Sequence, residues 1–294
     1  MGRVLITGSE GFTGRYVCDS FKKAGWEVWG AGLKQLNGSK QYVQMDLCEP
    51  SSISKGLERV NADIVIHLAA ESFVGEVDAN IYYRVNLIGT RNLLAALSNT
   101  SAKPSLTILA SSANVYGNSQ ALKLNESSSV HPENDYAVSK LSMEYVAELF
   151  RDRLNITVVR PFNYTGVGQQ KRFLIPKIVD HVRRKQAIIE LGNIDIERDF
   201  SDVRDIANYY LLLVSARSPI HTINFCSGQA ISLRSVLRSI SSLSGYEIEV
   251  VVNSDLIREN EVFRLVGDRS KLDRLLGARA SFDISETIEW MLQG

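Results

Sequence analysis

Tyr136 and Lys140, four apart in the segment YAVSK, are a pair that could move a proton together. On a helix this spacing puts both side chains on one face, one turn apart. An ammonium beside a phenol stabilises the phenolate and lowers the tyrosine pKa from about 10 toward the working range. Such a tyrosine can give a proton to a carbinol or carbonyl oxygen, or take one from it. The same spacing is common on solvated helices, so the neighbouring segments must decide.

A second constellation is TGSEGFTG, which sets Gly8, Gly11 and Gly14 straight after the apolar run RVLIT and at the start of an amphipathic stretch. Glycine permits a tight turn and lets the backbone approach a pyrophosphate resting on a helix N-terminus, where a Cβ would intrude. A strand before and a helix after separate this loop from a plain turn. The second strand ends in WGAGLK, with no Asp or Glu to grip a ribose 2′-hydroxyl. Lys34, just beyond, could meet a 2′-phosphate, which favours NADP(H) over NAD(H); a solvated loop lysine is the competing explanation. Asp46, at the end of the third strand, is placed to accept a hydrogen bond from adenine or to cap the helix opening at SSIS.

These residues need a scaffold, and the pattern supplies one. Short β-rich runs (RVLITG, EVWGAG, QYVQMD, DIVIHLAA, SLTILAS, ITVVRPF) alternate with helical stretches. Those stretches are FTGRYVCDSFKKAG, SISKGLERV, the long segment from Asp78 to Asn99, and DYAVSKLSMEYVAELFRDRL. Alternation of this kind predicts right-handed βαβ units, hence an α/β, Rossmann-like, doubly wound parallel sheet covered on both faces. After Asn163 the rhythm loosens, which predicts a smaller, mainly C-terminal α+β lobe for the substrate. The expected division is a dinucleotide-binding domain over 1–165, to which 205–227 returns, and an interleaved substrate lobe over 166–294.

The totals narrow the class. The chain has 294 residues, with Lys+Arg 33 against Asp+Glu 33, so no basic excess recommends a nucleic-acid partner and any anion site must be local. Cys18, Cys48 and Cys226 are scattered and odd in number, which reads as reduced thiols. His131, His181 and His221 lack metal-ligand spacing, so no metal is expected. No stretch approaches about 18 consecutive apolar residues and no signal-like segment opens the chain. A soluble, cytoplasmic protein is the expectation, without membrane association.

Taken together, TGSEGFTG, Asp46–Leu47, HLAA from His67, VNLIGTRNLL around Asn86, SSANVYG, YAVSK and RPFN resemble the extended short-chain dehydrogenase/reductase family across essentially the whole chain. The resemblance implies that Tyr136 is the catalytic acid/base and that Lys140 lowers its pKa and holds the nicotinamide ribose. Ser112, four before Tyr116, would bond the reacting oxygen, with the adjacent Ser111 as the alternative. Gly8, Gly11, Phe12, Gly14, Lys34, Asp46, Leu47, Leu68, Ala69 and Ala70 would line the coenzyme site with Tyr136 and Lys140. Asn86 would support the helix carrying the tyrosine, and His67 would pack against the coenzyme loop. Ser72 would touch the sugar or the nicotinamide, unless it is simply a loop serine.

The same resemblance bears on the reaction. Family members that dehydrate sugars carry a carboxylate two residues after the active-site Ser or Thr; here that position is Asn114, whose amide cannot exchange the proton. Reduction or epimerisation remains. RPFNYTGVGQ, GNIDIERDFSDVRDI and RENEVFRLVGDRSKL are similar to the branch of the GDP-mannose 4,6-dehydratases and GDP-4-keto-6-deoxy-D-mannose reductases, and nearer the reductases. By that similarity Asn163, Arg198 and Arg258 contact a nucleotide diphosphate, where a guanidinium pairs bidentately with phosphate oxygens. Glu259 stands where the family has proline, which makes Arg264 a second candidate. The expectation is NAD(P)H-dependent reduction of the C4 keto group of a GDP-linked 4-keto-6-deoxyhexose by a homodimer joined through the helices around Asn86 and Tyr136. The alternatives are a 4-epimerase of nucleotide sugars holding NAD tightly and a non-catalytic nucleotide-binding protein on the same fold.

Overall fold

The structure, a computed structural model, describes residues 2–36, 39–75, 78–216, 220–257, 261–277 and 281–294. The chain opens with the apolar strand β1 (Arg3–Thr7), helix α1 (Phe12–Lys23) and strand β2 (Glu27–Gly32). α1 turns Val17, Cys18 and Phe21 inward and ends before Gly25, which takes φ +81°. Then follow β3 (Tyr42–Gln44), α2 (Pro50–Val60) and β4 (Ile64–His67). A continuous helical rod comes next: α3 (Asn80–Tyr82), a π-helical stretch over Tyr83–Gly89, and α4 (Thr90–Asn99). β5 (Leu106–Ala110), α5 (Asp135–Glu148) and β6 (Ile156–Pro161) complete the alternation.

The chain then passes through β7 (Asn163–Thr165), α6 (Leu174–Arg183), β8 (Ile188–Leu191), β9 (Glu197–Arg198), β10 (Phe200–Asp202) and α7 (Val203–Val214). It continues with β11 (Thr222–Phe225), β12 (Ile231–Ser232), α8 (Leu233–Ser244), β13 (Glu249–Val252), β14 (Arg264–Leu265), α9 (Ser270–Leu276) and α10 (Ile284–Gln293).

Seven strands form one parallel sheet in the order β11-β6-β5-β4-β1-β2-β3. Its central strands are near-continuous apolar runs because helices cover both faces. On one face Val4, Ile6 and Ile66 pack under α1 and α7 with Phe21, Ile206 and Tyr210. On the other, Leu5, Val65 and Leu109 meet Ile53 of α2, Leu93 of α4 and Met143 of α5. The chain leaves β1 for β2 and β3 on one side, then crosses back to β4 on the other. Adjacent connections therefore diverge above the carboxyl ends of β1 and β4 and open a crevice there. A separate apolar cluster, including Ile178 of α6, Val236 of α8 and Ile288 of α10, builds the second lobe around β8.

Two elements depart from the helical periodicity. The helix expected through Leu154 stops at Glu148, where bonds from Leu149 N to Val146 O (3.1 Å) and from Phe150 N to Ala147 O (3.0 Å) tighten the backbone into turns that bury Phe150 and Leu154. The long helix before β5 widens into its π stretch around Asn86, an arrangement that re-aims a side chain inward. Among the described residues no helix is long and apolar enough to cross a membrane.

Candidate active site

A cavity of about 1000 Å³ runs from the glycine loop across the carboxyl ends of the strands to the second lobe. Gly8 sits at φ +69°, and a Cβ there would come within 2.8 Å of the Ala69 backbone. A Cβ on Gly14 would stand 2.1 Å from the Gly8 carbonyl oxygen. The loop is therefore folded against its own helix and against the loop after β4 as tightly as bare backbone allows. Gly11 caps α1 without any side-chain bond, so the first-turn N–H groups point uncapped into the cavity. This donor set, with the bare backbone around it, fits the pyrophosphate of a dinucleotide.

The other residues expected at the coenzyme site line the same cavity: Phe12, Lys34, Asp46, Leu47, Leu68, Ala69 and Ala70. Lys34 is exposed on its rim. Asp46 caps no helix: Glu49 holds the position before α2, and the Asp46 carboxylate accepts from Cys48 N at 2.8 Å. Phe12 stacks on Tyr164 at 6.1 Å, and Thr13 shares a 2.7 Å hydrogen bond with the Tyr164 hydroxyl, which docks the start of α1 onto β7.

Ser112 and Tyr136 meet on the cavity wall. Asn134 starts α5 by accepting from Ala137 N at 2.9 Å, which puts Tyr136 in the first turn. Burial pushes the Tyr136 phenol up to about 12, against the opposing hydrogen bond with Ser112. The lowering expected from Lys140 is not what the cleft imposes: desolvation of the phenolate dominates, and the lowering that opposes it comes from Ser112. Lys140 lies buried one turn on, donates from Nζ to the Ala110 carbonyl at 2.8 Å, and is brought down to about 8 by its own burial. Ser112 is extended and accepts from Asn114 N at 3.2 Å, while Asn114 also faces the cavity.

Ser111 turns into the protein: its hydroxyl donates to Glu144 Oε1 at 2.5 Å, and that carboxylate is held by Arg160 at 2.6 Å. Between the two serines, the geometry puts Ser112 beside Tyr136. Asn86 reaches from the π stretch to donate to Ser139 Oγ at 3.1 Å, and Ser139 donates to the Tyr136 carbonyl at 2.7 Å. His67 sits between Thr7 (2.7 Å) and Thr90 (2.9 Å), fully buried, and burial brings its pKa down to about 3.

Of the residues expected to contact substrate, Ser72, Asn163 and Arg198 line the same cavity. Arg198 already donates to Glu197 O at 3.0 Å and lies 3.5 Å from Glu261 Oε1, so a phosphate would compete with that carboxylate. Arg258 and Glu259 lie outside the described residues. Arg264 pairs with Glu197 and donates to the Leu122 carbonyl at 3.3 Å, away from the cavity lining. The motifs passed over four cavity residues. Glu10 occupies a variable position of the glycine loop, Tyr164 follows RPFN, and Glu71 forms a 3.2 Å ion pair across the cleft with Arg172. Arg172 also lies 4.6 Å over the ring of Phe73. Glu71 was signalled only by its place beside HLAA, and Arg172 by nothing local.

A glycine-cradled switch point with Ser112 and Tyr136 lining the cavity at its carboxyl edge, and Lys140 buried one turn behind the tyrosine and off the cavity lining, defines an enzyme of the extended short-chain dehydrogenase/reductase class. Within it, the chain belongs to the GDP-mannose 4,6-dehydratase family, which it matches over residues 5–291. It is 35% identical over 276 residues to the GDP-6-deoxy-D-talose 4-dehydrogenase of Aggregatibacter actinomycetemcomitans, covering 94% of this chain and 91% of the relative. It is 32% identical over 301 residues to the GDP-6-deoxy-D-mannose reductase of Pseudomonas aeruginosa, covering 99% and 96%. The solved structure of RMD from Pseudomonas aeruginosa complexed with NADPH superposes with a TM-score of 0.88 at 30% identity, covering 100% of this chain and 98% of that one. MoeE5 in complex with UDP-glucuronic acid and NAD superposes at 0.90 with 26% identity, covering 99% and 98%.

Proposed function

We propose that this enzyme reduces the C4 keto group of a nucleotide-linked 4-keto-6-deoxyhexose, GDP-linked by preference. The observation that carries the reading is the Tyr136 hydroxyl: protonated through the neutral range, buried on the cavity wall and bonded to Ser112. A reduction needs a proton delivered to the oxygen of C4 as that oxygen gains charge, and a phenol near 12 is in the donating form. Ser112 orients the keto oxygen toward Tyr136. Lys140, cationic below about pH 8, supplies the positive charge that the resulting phenolate needs. Asn114 presents an amide where elimination of water would need an exchangeable carboxyl proton. A bound dihydronicotinamide dinucleotide would be held by Gly8, Gly11, Gly14 and the first turn of α1, and it would supply the hydride. Of the charges on the adenosine rim, Lys34 supports NADP(H) and Glu10 supports NAD(H).

Asn163 and Arg198 are the described residues suited to the nucleotide diphosphate, with Arg172 a further cation on the lining. A homodimer belongs to the same reading. Ile88, Tyr145 and Leu149 expose 46%, 64% and 70% of their surface on the rod around Asn86 and on α5, an apolar strip fit for a two-fold helical interface.

The test is turnover of GDP-, UDP-, dTDP- and CDP-linked 4-keto sugars with each reduced coenzyme, followed by loss of the nicotinamide absorbance. Consumption of coenzyme with a GDP-linked ketone supports the assignment. C4 interconversion of nucleotide hexoses with no coenzyme added would make the protein an epimerase. Coenzyme binding without any turnover would leave a binding protein.

A further inference from the structure

The end of β2 has no acidic side chain, yet it does have a carboxylate. β2 carries Gly30 and Gly32, two residues apart and so on one face of the strand. Neither position is bare space. A Cβ on Gly30 would meet Ser9 Oγ at 2.5 Å, and a Cβ on Gly32 would meet Glu10 Oε2 at 2.8 Å. Gly8 N and Ser9 N both bond the Ala31 carbonyl, at 2.8 and 3.4 Å, which pins the glycine loop against this strand. The glycines of WGAG thus form a mould into which Ser9 and Glu10 fit, and the Glu10 carboxylate fills the place that a side chain on Gly32 would take.

Glu10, Gly32, Leu33 and Lys34 all line the cavity at this end. Glu10 is half-buried and, among the described residues, makes no ion pair, whereas Lys34 is solvent-exposed. Tyr42 closes the floor: a Cβ on Gly32 would also meet its hydroxyl at 2.9 Å, and that hydroxyl donates to the Lys34 carbonyl at 2.8 Å. Burial first, then the Glu10 charge and its hydrogen bond with the phenol, push Tyr42 up to about 12, so Tyr42 stays neutral and the charge at this end of the cavity floor is that of Glu10.

In dinucleotide folds, a carboxylate at the end of the second strand bonds the hydroxyls of the adenosine ribose, and a 2′-phosphate is excluded from such a site. We propose that Glu10 is the coenzyme-discriminating residue of this chain: its carboxylate accepts from the ribose 2′-hydroxyl of NAD(H) and repels the 2′-phosphate of NADP(H). This inference rests on the dinucleotide reading of the cavity and is independent of which sugar is reduced. A phosphate monoester carries nearly two negative charges at neutral pH, and a partly desolvated carboxylate beside it is screened little. The Lys34 ammonium, held in solvent, offsets only a small part of that repulsion.

The experiment is equilibrium titration of the protein with NADH and NADPH by nicotinamide fluorescence, repeated with ADP-ribose and its 2′-phosphorylated counterpart by calorimetry. The unmodified protein binds NADH more tightly by about tenfold or more, as a charge-assisted bond retained against one lost predicts. Glu10→Gln narrows that gap, chiefly by tightening NADPH, and Glu10→Arg reverses it. Lys34→Ala leaves the preference in the same direction. Thermal melting confirms that each variant is folded. A protein that prefers NADPH, or a ratio unchanged in both Glu10 variants, overturns the assignment of Glu10 while leaving the dinucleotide reading intact. Binding of neither coenzyme overturns the dinucleotide reading itself, and this proposal with it.

Discussion

Replacing Tyr136 with Phe takes away one oxygen and little else. The ring keeps its edge contact with Tyr82, at 5.9 Å and 67°, and its place in the first turn of α5. What is lost is the hydrogen bond with Ser112 and the proton that Tyr136 would deliver. The structural cost is that of one buried hydroxyl bond, about 1 kcal/mol, against a domain stability of about 5–15 kcal/mol. The catalytic cost is far larger. A positioned general acid contributes about 10²–10⁴-fold, or about 2.7–5.4 kcal/mol of barrier at 1.36 kcal/mol per tenfold. Steady-state loss of the reduced nicotinamide absorbance should therefore show kcat down by at least about 100-fold. Coenzyme affinity, read by fluorescence titration, should stay within about threefold, because the glycine cradle and the uncapped start of α1 are untouched. A Phe variant keeping more than about a tenth of kcat would place the proton donor elsewhere. A large fall in coenzyme affinity at normal kcat would make Tyr136 a binding residue only.

Three further outcomes follow from named contacts. Lys140, brought down to about 8 by burial, loses its charge as pH rises through that value, so kcat/KM for reduction should hold through neutrality and fall above about pH 8. Lys140→Met should lower activity and abolish that limb; a wild-type profile still level two pH units higher would contradict it. Gly14→Ala puts a methyl 2.1 Å from the Gly8 carbonyl, so the loop must open, with coenzyme binding weakened at least about tenfold by calorimetry; unchanged affinity would show that the cradle is not where the pyrophosphate rests. Tyr145→Glu combined with Leu149→Glu charges the two most exposed apolar side chains of α5 and its end and should yield a monomer by light scattering. A wild-type monomer at every concentration would remove that interface.

Much of this architecture can be read along the chain because it depends on local order. Buried parallel strands must be apolar on both faces, so RVLIT and DIVIHL declare themselves, and a loop that cradles phosphate must be bare of side chains. What lies across the cleft is silent in the sequence. Glu71 and Arg172 are separated by 101 positions, and no period or spacing pairs them. Glu10 was hidden for another reason: a glycine motif leaves its intervening positions blank, while the search for a carboxylate looks along β2. The two serines illustrate alternation. Ser112 continues an extended backbone beyond β5, so it and Ser111 face opposite ways, one toward Tyr136 and one toward Glu144 on α5. Alternation says that they differ; only packing says which faces the cleft. The π stretch escaped for a third reason, since one widened turn barely disturbs the helical period of the twenty residues around it.

That widened turn belongs to a polar chain whose direction can be worked out bond by bond. Thr90 spends its hydroxyl proton on the Asn86 carbonyl at 2.6 Å, so toward His67 it must accept, and His67 Nε2 carries the hydrogen. With burial holding the imidazole neutral, Nδ1 is then a bare acceptor and takes the Thr7 proton at 2.7 Å. The Thr7 oxygen is left to accept from Ala69 N at 3.3 Å, in the loop after β4 that lines the cavity. From Asn86 the chain runs the other way, through Ser139 to the carbonyl of Tyr136. Each donor meets one acceptor, so the glycine loop, the loop after β4 and the start of α5 are fixed to one another without a net charge between them. A protonated His67 would present a second N–H to Thr7 and force that hydroxyl to turn its own proton away from the ring. The chain's polarity and the cost of burying the cation thus oppose the same event. Position and charge thereby belong to different groups: the neutral chain ties down Tyr136, while Lys140, the one cation in the first two turns of α5, is anchored to the Ala110 carbonyl at 2.8 Å.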